Sequence, residues 1–211
     1  MPLDLQITAL TESDLGDAAQ IQSRAFFDDP LFRFVFPDEH DRQVRLPWLM
    51  RIGVGYGCRF GHVDTTAGAM LGHAVWLPPG ETHVGDERLA EAGFVEPETH
   101  MGPAAFGRFG AFMERVSPIH ERLMPEPHWY LMILGVDPPH QGQRVGSALI
   151  GSTLARADAE ERRCYLETAK ERNVPFYQKH GFEVLEETDI GVGGPHVWIM
   201  VRGARSRAMA A

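Results

Sequence analysis

Residues 129–136 read Trp-Tyr-Leu-Met-Ile-Leu-Gly-Val, and they are followed at once by Asp-Pro-Pro. An eight-residue apolar run with no polar alternation predicts a strand covered on both faces, and so a central place in a sheet. Pro138 and Pro139 end it, because neither can donate to a strand ladder. The chain then passes through His-Gln-Gly-Gln-Arg into Val-Gly-Ser-Ala-Leu-Ile, where a helix is expected from about residue 143. Strand "CYLET", helix "VPFYQKH", strand "FEVLEET" and strand "HVWIM" follow. A buried strand alternating with helices in this order requires a mixed sheet with helices packed on its faces, an α/β or α+β arrangement.

The N-terminal half is read in the same way. "LDLQITAL" predicts a first strand, and Thr11 or Ser13 caps a helix over "LGDAAQIQSRAFF". "DDPLFRFVFPDEHD" predicts a turn with a short aromatic element. "RQVRLPWLMRIGVGYGCRF" is helical in pattern, and its "GVGYG" cluster at 53–57 reads as a helix end or loop. Two strands joined by a turn around Thr65 to Gly68 lead to the stop Pro78-Pro79-Gly80. Residues 81–127 predict irregular helices, and the tail "RGARSRAMAA" is expected to fray. With 211 residues, no repeat and no low-complexity linker, one domain (1–211) is expected, with 81–127 as a helical insertion.

Composition narrows the function classes. A formal charge of −9 disfavours binding to a phosphate backbone, so no nucleic-acid partner is expected. No run approaches the ~18 apolar residues of a membrane span, and the first residues lack a basic, apolar signal pattern. Two distant cysteines, Cys58 and Cys164, fit a reducing cytoplasm. Lys170 and Lys179 are the only lysines, an arginine bias that suggests a GC-rich bacterial genome. The ten histidines show no metal-ligand spacing, and no metal site is expected.

The turn after residue 136 is where an anion can be held. Gly142 and Gly146 remove side chains at the start of the helix, whose first amides lack intrahelical partners and carry the positive end of its dipole. Arg144 adds charge and Ser147 a hydroxyl, while Gly135 inside the strand marks a bulge or close backbone approach. Neither the P-loop nor the Rossmann fingerprint is present. The segment Gln141-Gly142-Gln143-Arg144-Val145-Gly146 resembles instead the Q/R-x-x-G-x-G/A turn of the GNAT superfamily of acyl-CoA N-acyltransferases, with Arg144 where that family most often has glycine. Downstream, "LETAKERNVPFYQKHGF" is similar to the family's second motif, an Asn leading into a Tyr-bearing helix closed by Gly-Phe. Together with the final "HVWIM", these stretches are most similar to the branch that includes puromycin-type acetyltransferases, over Trp129 to Val201.

The resemblance implies a central mixed, mostly antiparallel sheet with a splayed strand pair and helices on both faces. It implies acetyl-CoA as the coenzyme, its pyrophosphate on Gln141, Gly142, Gln143, Arg144, Val145, Gly146 and Ser147. Its pantetheine arm would lie along the backbone of Leu134, Gly135 and Val136, at a bulge at the strand's C-terminal end, with Asn173 in contact. It also implies that Tyr177 donates a proton to the leaving thiolate, which an unperturbed tyrosine can do at neutral pH.

Read as residues, Asn173 is a helix N-cap and Pro175 fits the first turn. Attack by an amine needs a base, and Glu167 at the end of "CYLET" is the candidate, against a plain solvated carboxylate. Phe27, Asp28 and Asp29 are candidates for an acceptor pocket that attracts a cationic amine, and Trp76 for its lining; a hydrophobic anchor and a core tryptophan are the plainer readings. The expected activity is acetyl transfer to a small-molecule amine in a ternary complex, by a monomer or homodimer. A protein or peptide acceptor, and a non-catalytic acyl-CoA sensor, stay open.

Overall fold

The computed structural model describes residues 5–204. Residues 1–4, where the first expected strand begins, and 205–211, most of the expected tail, lie outside the described residues. The chain opens with β1 (Ile7–Ala9), α1 (Leu15–Phe26), α2 (Pro30–Val35), α3 (Glu39–Phe60), β2 (His62–Thr66) and β3 (Gly72–Leu77). Three helices follow, α4 (Asp86–Glu91), α5 (Pro97–Met101) and α6 (Pro103–Leu123). The C-terminal half is β4 (Trp129–Val136), α7 (Val145–Ala159), β5 (Cys164–Thr168), α8 (Val174–Lys179), β6 (Glu183–Asp189) and β7 (His196–Arg202). Arg202, expected to belong to the frayed tail, pairs in the sheet opposite Cys164.

The seven strands form one sheet in the order β1-β2-β3-β4-β5-β7-β6, antiparallel throughout except for β4 and β5. That parallel pair touches only at Trp129↔Cys164 and Tyr130↔Tyr165. Beyond Tyr130 the two strands separate, while β4 stays paired to β3 as far as Val136. The splayed strand pair is therefore present at the centre of the sheet.

All of β3 is buried, as befits a strand covered on both faces. One face carries Trp76, Trp129, Leu131 and Leu166, packed under Leu149, Ile150 and Leu154 of α7 and Tyr177 of α8. On the other, Val63 and Val75 pack against Ala18 of α1 and Val54 of α3. Along β4, Met132 and Ile133 both join this second group although they are consecutive. They can share a face because the register with β3 slips between Val75 and Trp76, opposite Met132. The bulge therefore sits in mid-strand and not at the C-terminal end, where it was expected. Gly135 serves a different close approach: a Cβ there would overlap the amide of Gln22, a buried α1 residue whose Nε2 donates to the His73 carbonyl at 3.2 Å. At the end of β4, Arg24 of α1 grips Asp137 through two hydrogen bonds of 2.9 and 2.7 Å.

The "GVGYG" cluster is not a helix end. It lies inside α3, which runs on to Phe60. A Cβ on Gly57 would overlap Val75 and crowd Val63, so glycine lets this helix lie directly on β2 and β3. Close packing against the sheet overrides glycine's cost of about 1 kcal/mol in a helix.

Candidate active site

A cavity of about 700 Å³ opens where β4 and β5 separate. Leu131 to Leu134 of β4 line one side, Glu167, Thr168 and Ala169 the other, and Asn173 and Tyr177 lie beneath. Tyr177 packs with the α7 side of the sheet. Glu167 alternates along β5 with Leu166, so it faces the opposite side with Tyr165. One cavity touching both residues therefore passes between the separated strands.

Glu167 is half-buried, and its Oε1 accepts a hydrogen bond of 3.0 Å from the Tyr130 hydroxyl. Burial pushes its carboxyl up to about 7, and the Tyr130 bond partly opposes the shift. The reading of Glu167 as a solvated strand-end carboxylate is thereby replaced by a held carboxyl that exchanges its proton near neutrality. Glu167 and Tyr130 also line a smaller cavity of about 120 Å³ beside His120 and Ser117. Tyr130 was not singled out from the sequence, because a tyrosine in an unbroken apolar run looks like core. Since Tyr130 stabilises the charged form, Tyr130→Phe is expected to raise the Glu167 pKa further. A rate or chemical-shift titration following Glu167 should then move to higher pH, and an unmoved midpoint would contradict this geometry.

Tyr177 is buried and its acidity is suppressed, first by burial and then by the charges of Asp29 and Glu167. Its hydroxyl stays protonated at neutral pH and makes no hydrogen bond among the described residues. A Schellman closure fixes α8 beneath it: the Gly181 N–H, at φ +88°, donates to the Gln178 carbonyl and the Phe182 N–H to that of Tyr177. Asn173 does not cap this helix. It ends a 3-10 turn with helical φ and ψ of −83° and −21°, and its side chain makes no cap bond, so its amide is left to the cavity that it lines.

The turn after β4 differs in detail from the sequence expectation. A short 3-10 turn covers Pro138–His140, and α7 starts at Val145, not at 143. Gly142 is left-handed at φ +74° with open space beside it, and Arg144 is left-handed too at φ +66°. That conformation explains why glycine is usual at the Arg144 position and costs about 1 kcal/mol or more for any other residue. The backbone N–H groups from Gly142 to Ser147 donate to no acceptor among the described residues. Gln141 and Gln143 are exposed and fold back on the turn, their amides donating to the Val136 and Pro139 carbonyls at 3.0 Å each. Val145 is core. Gly146 does not simply open the way to the backbone: a Cβ there would meet the Phe176 ring at 3.4 Å, so it also fits α7 against α8. The Ser147 hydroxyl lies 3.0 Å from His180 Nε2.

The acceptor candidates fare less well. Trp76 is fully enclosed in the α7-side core, edge-on to Trp129, and does not line the cavity. Asp28 is exposed outside the cavity, and the Phe27 ring lies under the Arg42 guanidinium at 4.6 Å. Asp29 does line the cavity, but as the α2 cap accepting from the Leu31 N–H at 3.0 Å, with Lys170 at 4.0 Å. Its carboxyl is raised by burial, with Lys170 opposing. Segment 81–127 instead supplies the far wall, from Val84 to Pro118.

Residues 103–184 match the family model described as "Acetyltransferase (GNAT) domain". Solved structures share the fold over nearly the whole chain. One is described as histone acetyltransferase HPA2 and related acetyltransferase from Corynebacterium glutamicum ATCC 13032, with 23% identity, 97% of this chain and 99% of that one covered, and a TM-score of 0.67. The Drosophila melanogaster polyamine N-acetyltransferase has 15% identity over 95% of this chain and 100% of its own, with a TM-score of 0.63. Arylalkylamine N-acetyltransferase 2 from Aedes aegypti has 13% identity over 96% and 100%, with a TM-score of 0.59. Residues 103–184 are thus similar to acyltransferase domains of the GNAT type, and the whole chain shares the fold of these acetyltransferase structures. Among the described residues no helix is long and apolar enough to cross a membrane.

Proposed function

We propose that this protein transfers an acetyl group from acetyl-CoA to the primary amine of a small molecule. The observation that carries the proposal is one cavity lined by both a half-buried carboxyl near neutrality and a protonated tyrosine whose hydroxyl has no partner among the described residues. The coenzyme fits the residues present. Unpaired amides at Gly142 to Ser147, with Arg144 beside them, suit a pyrophosphate. The β4 edge freed beyond Tyr130, including the backbone of Leu134, Gly135 and Val136, suits an arm that carries amide groups, and Asn173 has an uncommitted side chain for the same arm. Gln141 and Gln143 brace the turn, and Ser147 is available through its amide.

When bound, acetyl-CoA supplies an acetyl carbon activated as a thioester, to which the amine nitrogen bonds as the carbon–sulfur bond breaks. Glu167, ionised, takes the proton that the amine must lose, directly or through water. Tyr177 gives its proton to the departing sulfur, and the exchange needs no covalent intermediate on the protein. Burial raises the thiol of Cys58 to about 11 and that of Cys164 to about 12, so neither is a poised nucleophile.

A peptide or protein acceptor is the second reading, since one similar structure is described as a histone acetyltransferase. A wall from segment 81–127 along one side of the cavity favours a small molecule over an extended chain. The puromycin-type branch is the placement favoured by the two motifs and the final strand. We take the chain as one domain in a bacterial cytoplasm, acting as a monomer or homodimer. Thermal unfolding with acetyl-CoA, CoA and ATP in parallel tests the coenzyme part. Acetyl-CoA is expected to raise Tm most, and Arg144→Glu, an exposed change, to weaken its binding about tenfold, near 1.4 kcal/mol. No shift with acetyl-CoA would remove the basis of the proposal.

A further inference from the structure

The half of the cavity away from the phosphate turn has a chemistry of its own. Six of the chain's twelve phenylalanines line the cavity: Phe26, Phe32, Phe94, Phe106, Phe109 and Phe112. Four of them come from segment 81–127, opposite the strands that suit the coenzyme arm. Their rings are in mutual contact, with Phe94–Phe109 and Phe109–Phe112 centroids each 6.4 Å apart. Phe112 packs with both the phenylalanine cluster and the group that holds Tyr130, so the aromatic wall continues to the Glu167 end. Among the described residues no lysine, arginine or histidine lines this cavity. Its charged residues are all acidic: Glu167 and the paired Asp29 inside, and Asp86 and Glu114, both exposed, at its edge.

Resting on the reading above, we infer that the acceptor is a bulky apolar primary amine, an aryl- or long alkyl-amine without an acid group. Its ammonium group is drawn past the edge carboxylates, and its apolar body gains from contact with the rings and loses water there. An amino acid or a phosphorylated amine would bring its own anion into a cavity without a cation, with a desolvation cost and no partner. A polyamine would leave a second ammonium buried among phenylalanines, because Asp29 is already held by Lys170 and the Leu31 N–H.

Gly110 provides a clean probe. It lies in α6, lines the cavity, and a Cβ there meets nothing within 4 Å. Gly110→Leu adds a side chain beside the rings without touching the strands that suit the coenzyme arm, and leucine favours the helix. Acetylation of 2-phenylethylamine, hexylamine, ethylamine, spermidine, glycine and a lysine peptide would be followed by amide product, with acetyl-CoA binding measured separately by thermal shift. For the wild type, kcat/KM for 2-phenylethylamine and hexylamine is expected to exceed that for every other amine at least tenfold. In Gly110→Leu the ratio of 2-phenylethylamine to ethylamine should fall at least about tenfold, a typical cost of reshaping an apolar pocket. Spermidine, glycine or the peptide acetylated best, an unchanged ratio in the variant, or acetyl-CoA bound with no amine acetylated would each overturn this inference while leaving coenzyme binding intact. Failure to bind acetyl-CoA would overturn the parent reading as well.

Discussion

Glu167→Gln is expected to lower kcat/KM by about 10²–10³ at pH 7, the size of effect usual for loss of a positioned base. The pH dependence should change with it. A carboxyl titrating at about 7 is half ionised at neutral pH, so wild-type turnover should rise from pH 6 to 8 and then level. In the glutamine variant that limb should vanish from whatever rate remains. Folding stability carries an independent signature. The folded pKa lies above the ordinary carboxylate value, so the folded state holds the proton more tightly, and stability attributable to Glu167 falls as pH rises from the unfolded pKa to about 7. Glu167→Gln should therefore stabilise the protein at pH 8 relative to pH 5, by chemical denaturation at the two pH values. Loss of activity with an unchanged acidic limb would show that another group titrates in the reaction.

Tyr177→Phe is the second large effect. The ring stays in the α7-side core and only an oxygen without a partner among the described residues is removed, so the fold should hold. If that hydroxyl protonates the leaving sulfur, kcat should fall by about 10²–10³ while acetyl-CoA affinity changes little. A variant with wild-type kcat would make Tyr177 a packing residue and return the proton donor to solvent. Because the Tyr177 pKa is strongly raised and that of Glu167 sits near neutrality, their environments suit them to the two different proposed roles.

Much of the central sheet was legible because its punctuation is local. An apolar run, two prolines, a glycine turn and a helix leave little freedom between residues 129 and 159, and the loop around Asn173 and Gly181 is equally marked. What was hidden depended on neighbours distant in sequence. The Met132 bulge leaves no trace in a run with no polar residue to break the alternation. The three glycines of α3 argue locally against helix, and only Val63 and Val75 explain Gly57. Asn173 has the residue type of a cap, but the preceding 3-10 turn gives it the wrong backbone angles. Glu167 was identifiable as a candidate, yet its burial and the hand of Tyr130 required the fold. The phenylalanine wall of the cavity was the least legible part, since phenylalanines lining a cavity and phenylalanines filling a core obey the same helical spacing. Asp28 and Asp29 drew attention instead, though one is outside the cavity and the other is a helix cap.

Product formation is the most direct readout of the proposed acetyl transfer. Acetyl-CoA and a mixture of primary amines would be incubated with wild type and with Glu167→Gln/Tyr177→Phe, and free CoA and N-acetyl amide quantified together by mass spectrometry. Equal amounts of CoA and amide from the wild type, with both nearly abolished in the double variant, is the expected result. CoA released without amide, or amide formed equally by the double variant, would contradict an acetyltransferase that works through these two residues.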